Sequence, residues 1–140
     1  MEDEQRKEFI RQVFNSVSEG YGQGALRFFQ RAAEHLPDLL ALQGDENILD
    51  IAAGTGLAST ILAGQVPDGR VTGIDLSEGM LEKAQHRAEE LGLDNIAFRR
   101  MDMTRMALPE NHYDHVNASF GVFFVEDMQS LVQHATARLK

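Results

Sequence analysis

The sequence has 140 residues and no cysteine, with 13 Lys plus Arg against 22 Asp plus Glu, a formal charge of −9. That length sets one domain as the prior, and 43% hydrophobic with 25% charged residues describes a chain that builds a core. Without Cys, disulfide frameworks, thiolate metal sites, iron–sulfur clusters and cysteine nucleophiles are excluded, and the acidic balance, with no cluster of Arg and Lys, argues against nucleic acid as a partner. The opening Met1-Glu2-Asp3-Glu4-Gln5-Arg6-Lys7-Glu8 is too charged for a signal peptide. No apolar run approaches the ~18 residues of a membrane span, so the expectation is a cytoplasmic protein without a membrane partner.

Phe9, Ile10, Val13, Phe14 and Val17 recur at helical spacing and predict an amphipathic helix over residues 2–17. Gly20-Tyr21-Gly22-Gln23-Gly24 then reads as a hinge, and Leu26, Phe29, Ala33 and Leu36 restart a helix that ends at Pro37. A short Leu39-Leu40-Ala41-Leu42 stretch leads to a turn at Gly44-Asp45-Glu46. From there short apolar runs alternate with helical segments. A strand over Asn47 to Ala52 is followed by Gly54-Thr55-Gly56 and a helix to about Gly64, and Pro67-Asp68-Gly69 turns into a second strand, Arg70 to Asp75. Ser77 is the N-cap of a helix stopped by Gly92. Ile96 to Arg100 is a third strand and Tyr113 to Phe120 a fourth, and Met128, Leu131, Val132, Ala135 and Leu139 mark one face of a last helix.

Strands separated by helices imply right-handed crossovers, so the fold class is α/β: a doubly wound, Rossmann-like, mostly parallel sheet preceded by N-terminal helices. Residues 1–43 read as a helical lid or cap segment and 44–140 as the ligand-binding domain. The last helix is still in pattern at Arg138-Leu139-Lys140, and the apolar fourth strand would be an uncovered edge. The expectation is the N-terminal portion of a larger domain that self-associates through that edge.

In Asp50-Ile51-Ala52-Ala53-Gly54-Thr55-Gly56 an apolar strand runs into a small-residue turn that opens a helix, the arrangement that lets a ligand approach backbone N–H donors. Asp75 lies nineteen positions after Gly56, at the end of the next strand, where a carboxylate can accept both hydroxyls of a ribose. A dinucleotide loop asks for Gly or Ala three places after the second Gly, and Ser59 stands there. Asp50 would also repel a pyrophosphate by roughly 1–4 kcal/mol at ~4 Å. S-adenosylmethionine, with an adenosine, a sulfonium, an α-ammonium and no phosphate, suits two carboxylates beside such a turn. Solvated strand-end aspartates beside an ordinary turn are the bland alternative.

These motifs resemble the class I S-adenosylmethionine-dependent methyltransferases, most nearly the ubiquinone/menaquinone-biosynthesis type. Val13-Phe14-Asn15-Ser16-Val17 with Tyr21 is similar to that family's N-terminal segment, Leu49 to Gly56 to its first motif, and Gly73 to Leu81 to its second. Asp102-Met103, His112-Tyr113-Asp114 and Ser119-Phe120-Gly121 are similar to later ones. The resemblance implies the N-terminal portion of a seven-stranded methyltransferase fold. It implies that Asp50, Ala52, Gly54, Thr55 and Gly56 hold the amino-acid end of the cofactor. Asp75 would bind the ribose, Leu76 and Met80 would pack near the adenine, and Asp102 with the Met103 backbone would recognise its edge. Asn117 and Ser119 would line the floor near the methyl group, and Tyr21 would close over the cofactor. Gly22 replaces the Asp usual after that Tyr, and Val122-Phe123-Phe124 replaces the Arg-Asn pair of quinone-type members, so a quinone acceptor does not carry over.

Methyl transfer by in-line displacement needs alignment and exclusion of water, with no covalent nucleophile. His112 and His115, three apart on a strand, would point to opposite faces and form neither a base pair nor a metal site, while His35, His86 and His134 are expected on helices facing solvent. Met101, Met103 and Met106 read as core filler before pocket rim. The leading function is methyl transfer to a small-molecule acceptor, or the cofactor-binding portion of such an enzyme. A nicotinamide-dependent oxidoreductase and a non-catalytic nucleotide-binding or oligomerising module are the alternatives.

Overall fold

The computed structural model describes residues 2–18, 27–119 and 126–140. The elements are α1 Asp3–Val17, α2 Arg27–Glu34, α3 Leu36–Leu40, β1 Asn47–Ile51, α4 Leu57–Gln65, β2 Arg70–Asp75, α5 Glu78–Glu90, β3 Ile96–Arg100, β4 His115–Asn117 and α6 Met128–Ala137. The strands form one parallel sheet in the order β3-β2-β1-β4, with Asp50 opposite Gly73 on one side and Asn117 on the other. This is the doubly wound α/β arrangement expected, because each strand must cross over through a helix or long loop to pair in parallel.

Alternation along the strands divides the core. Ile48 and Val71 pack with Leu62, Ala63 and Val66 of the α4 region on one face, and Leu49, Ile51 and Ile74 pack with Met106, Leu108, Tyr113 and Leu131 on the other. Met101 and Met103 lie against the second cluster, so these methionines act as core filler.

Helix ends follow the local chemistry. Ser77 Oγ accepts from the Met80 N–H at 3.2 Å and starts α5. Gly92, at φ +67°, ends it in a Schellman turn, with the Gly92 N–H on the Glu89 carbonyl and the Leu93 N–H on that of Ala88.

Four expectations need correction. Pro37 opens a helix where it was expected to end one: α2 stops at Glu34, and Pro37 sits in the first turn of α3, where its missing N–H costs nothing. His35 accordingly lies at the N-cap of α3, exposed. Among the described residues the expected fourth strand is reduced to His115–Asn117, and at its start buried Tyr113 pairs instead with Leu139 in an isolated parallel bridge. The last helix ends at Ala137, and Arg138 to Lys140 turn back along residues 111–113 through backbone hydrogen bonds.

The fourth concerns α1, whose apolar positions Phe9 and Val13 are exposed. The helix is seated instead by a polar stripe at spacing four: Lys7, Arg11 and Asn15. The glycine hinge with Tyr21, and Phe120 to Phe124, lie outside the described residues.

Candidate functional site

The carboxyl ends of β1 and β2 lie side by side, and the chain leaves β1 through Ala52-Ala53-Gly54-Thr55-Gly56 into α4. Three residues of this turn have left-handed backbone: Ala52 at φ +56°, Gly54 at +59° and Gly56 at +79°. Ala52 is an L-residue in a conformation that costs about 1–2 kcal/mol, and such strain gathers at functional turns. The Ala53 N–H to Ile74 carbonyl bond, 2.9 Å, ties the turn to β2.

The two glycines face different surroundings. A Cβ at Gly54 would meet no atom within 4 Å, so the backbone there is open to a ligand. A Cβ at Gly56 would lie 2.8 Å from Ala84 Cβ and 3.1 Å from the Phe98 ring, so this glycine also lets α4 close on α5 and β3.

Asp75 spans the turn from the β2 side. Its Oδ2 accepts the Gly54 N–H at 2.8 Å and its Oδ1 the Ser77 N–H at 2.9 Å, leaving each oxygen a further lone pair. Burial raises its pKa against the pull of these backbone donors. Asp50 is 1% exposed. Its Oδ2 accepts Ser59 Oγ at 2.5 Å and its Oδ1 accepts Asn117 Nδ2 at 2.8 Å. Burial pushes its pKa up to about 6, Asp75 adds repulsion, and the Ser59 and Asn117 donors oppose the rise. Among the described residues neither aspartate pairs with a cation. The two strand ends therefore hold carboxyl groups in the interior with no cationic partner among the described residues.

The other expected residues are distributed around these two. Thr55 is buried, and its carbonyl accepts Arg87 Nε at 3.2 Å. Leu76 is half-buried, and Met80 lies within the packed interior. Asn117 and Ser119 stand at the carboxyl end of β4, their side chains 3.1 Å apart. Asp102 and Met103 follow β3. Asp102 Oδ2 meets Lys7 Nζ at 2.9 Å, and Oδ1 accepts the Thr104 N–H and hydroxyl at 2.9 and 2.8 Å. Burial acts to raise this carboxyl, but Lys7 and Thr104 outweigh it and hold its pKa below the ordinary value.

Lys7 belongs to α1, which crosses the carboxyl rims of β2 and β3. Lys7 is 8% exposed and also reaches Asp3 at 2.8 Å and Thr104 at 2.8 Å. Asn15 Oδ1 accepts Ser77 Oγ at 2.5 Å and the Gly79 N–H at 2.8 Å, while Arg11 grips Glu78 at 2.5 Å. The sequence reading missed Lys7 and Asn15; their spacing of eight on one helix was the available signal. It also read Ser59 only as a missing glycine, although a hydroxyl two residues inside a helix that follows a strand-end acid is placed to cap that acid.

Residues 48–140 match the model of a methyltransferase domain family. The chain belongs to the methyltransferase domain family. The family's cofactor is S-adenosylmethionine. The chain is 34% identical over 128 residues to aklanonic acid methyltransferase DauC of Streptomyces sp. (strain C5), covering 91% of this chain and 58% of that protein. It is 27% identical over 142 residues to the demethylmenaquinone methyltransferase of Listeria welshimeri, covering 98% and 60%. In fold it superposes on phosphoethanolamine N-methyltransferase 1 of Haemonchus contortus, a complex with phosphoethanolamine and S-adenosylhomocysteine, with a TM-score of 0.80 at 21% identity, over 100% of this chain and 31% of that one. The chain thus spans about three-fifths of the length of the curated relatives it matches.

The residues fit the adenosyl cofactor on this structure's own terms. The space a Gly54 side chain would fill is open, Asp75 retains acceptor capacity beside it, and no cation among the described residues neutralises the paired aspartates.

Proposed function

We propose that this chain binds S-adenosylmethionine at the carboxyl ends of β1 and β2 and supports methyl transfer to a small-molecule acceptor. The observation that carries the reading is the junction of an open glycine turn with two aspartates that pair with no cation among the described residues, one with acceptor capacity left at the rim and one buried beneath it. Asp75 accepts the ribose hydroxyls, and the turn from Ala52 to Gly56 approaches the amino-acid end. Asp102 and the Met103 backbone read the adenine edge, Leu76 lies near the ring, and Met80 supports that wall from the interior. Asp50 supplies negative charge beneath a cationic ligand, with Asn117 and Ser119 lining the adjacent β4 end.

When bound, the cofactor supplies an electrophilic methyl group on a sulfonium, already activated for displacement. The chain's own work is to hold the donor, keep water out and leave a straight approach for the acceptor. No side chain is required as a covalent nucleophile. Residues 1–43 form the cap over the 44–140 domain in this reading, supported by the α1 contacts of Lys7 to Asp102 and of Asn15 to Ser77. Among the described residues no helix is long and apolar enough to cross a membrane, and the proposal places the chain in the cytoplasm. Self-association would use the β4 side, where Val116, Ala118, Leu131 and Ala135 line an apolar groove.

Isothermal calorimetry with S-adenosylhomocysteine and with NADH tests the reading. One site for the homocysteine adduct and none for NADH is expected; binding of NADH alone would give the site to a dinucleotide.

A further inference from the structure

Resting on that reading of the cleft, we infer that Ser59 is a positioning residue that acts through Asp50 to fix which end of the Asn117 carboxamide is available to the ligand.

The chain of contacts is short and internal. Ser59 is fully buried in the first turn of α4, and its hydroxyl donates a hydrogen bond to Asp50 Oδ2 at 2.5 Å. A hydroxyl has one proton, and this one is committed to Asp50. Asp50 Oδ1 then takes Asn117 Nδ2 at 2.8 Å. A carboxamide has two nitrogen-bound protons and one acceptor oxygen. The first proton of Asn117 goes to Asp50, and Ser119 Oγ stands 3.1 Å from the same nitrogen to take the second. What remains is Asn117 Oδ1, which accepts only a long contact from the Ser119 hydroxyl at 3.4 Å among the described residues. The opposite rotamer of the amide would set its oxygen against a carboxylate, two acceptors with no proton between them, so Asp50 decides the orientation.

The consequence is a chemical polarity at the end of β4. Asn117 presents an acceptor, which suits a donor such as an ammonium or a polarised N–H or O–H group, and repels the oxygens of a phosphate or carboxylate. It also accounts for Ser59 in the position where a dinucleotide loop places Gly or Ala. Alanine there would strand Asp50 Oδ2 in the interior, free the carboxylate to swing, and release the amide it holds.

The test is a double-mutant cycle on the affinity of the whole chain for S-adenosylmethionine, read by calorimetry. Ser59→Ala is expected to weaken binding by about tenfold, the loss of one oriented charge-assisted contact. In an Asn117→Ala background the same substitution is expected to change affinity by less than about twofold, because the group it orients is gone. An equal loss in both backgrounds, or no loss in either, overturns the inference. Ser59→Cys, with a weak donor of similar size, is expected to fall between serine and alanine and replaces the alanine variant if that does not fold. A second readout needs no ligand. The side-chain amide protons of Asn117 in the NMR spectrum should exchange slowly with water in the unsubstituted chain and faster in Ser59→Ala or Ser59→Cys. Unchanged exchange refutes the positioning role. Faster exchange in a chain that does not bind the cofactor would leave that role standing and remove the cofactor reading instead.

Discussion

Replacing Asp50 by asparagine removes a buried charge while keeping nearly the same shape. The Ser59 hydroxyl can turn to accept from the new amide, and the Asn117 nitrogen still finds an oxygen, so the network closes without the charge. In the native chain burial moves the carboxyl from the ordinary 3.8 to about 6. At ~1.4 kcal/mol per pH unit, that displacement means the ionised form costs the folded state about 3 kcal/mol at neutral pH. The sign follows from proton linkage. A raised folded-state pKa favours the folded state below the unfolded value, and this advantage is lost as pH rises through about 6. Carboxylates held low, among them Glu78 at about 2 and Asp102, act in the opposite direction but are common to both proteins. Urea denaturation of the two proteins at pH 4, 5, 6 and 7 isolates Asp50 in their difference. The stability of the native chain relative to the Asn variant should fall by about 2 kcal/mol between pH 4 and 7, the rest of the loss lying below pH 4 where the unfolded carboxyl titrates. A difference that stays flat would refute the view of Asp50 as a buried, ionisable anion.

Alanine at the two glycines of the turn should separate binding from folding. Gly54→Ala costs only the left-handed strain of about 1–2 kcal/mol in a chemical melt but abolishes calorimetric binding, because its Cβ enters the open cradle. Gly56→Ala adds overlap with Ala84 to the same strain and should cost about 2–5 kcal/mol; equal losses in both melts would contradict the assignment. Lys7→Met keeps the aliphatic stem but removes the ammonium shared by Asp3, Asp102 and Thr104. It should lower protection of the α1 amides in native-state hydrogen exchange by about 1–3 kcal/mol while leaving β1 and β2 unchanged, and full protection of α1 would show that the helix is held by other contacts.

Most of the sheet was legible because parallel strands are short, apolar and punctuated by turn residues, so β1, β2 and β3 fell at or within one residue of their expected bounds. The Ser77 and Gly92 helix limits were legible for the same local reason: a cap is chemistry within a few residues. The departures came from partners far away in sequence, Pro37 excepted. Tyr113 reads as strand by propensity but pairs with Leu139, and Pro37 reads as a stop until the preceding helix has already ended at Glu34. The apolar face of α1 predicted burial there, whereas Lys7 and Asn15 find partners on residues more than sixty positions away. At the site, the glycine turn and Asp75 could be placed from spacing alone. The Ser59 to Asp50 to Asn117 network could not, since it joins α4, β1 and β4 through side chains whose meeting only the sheet order creates.

The calorimetric affinity of the whole chain for S-adenosylhomocysteine, compared with that of Asp75→Ala, bears most directly on the account. One hydrogen bond to a charged acceptor contributes ~1.5–3 kcal/mol, so loss of the ribose contact should raise the dissociation constant at least about tenfold. Indistinguishable affinities in the two proteins would contradict the placement of an adenosyl ribose between β1 and β2.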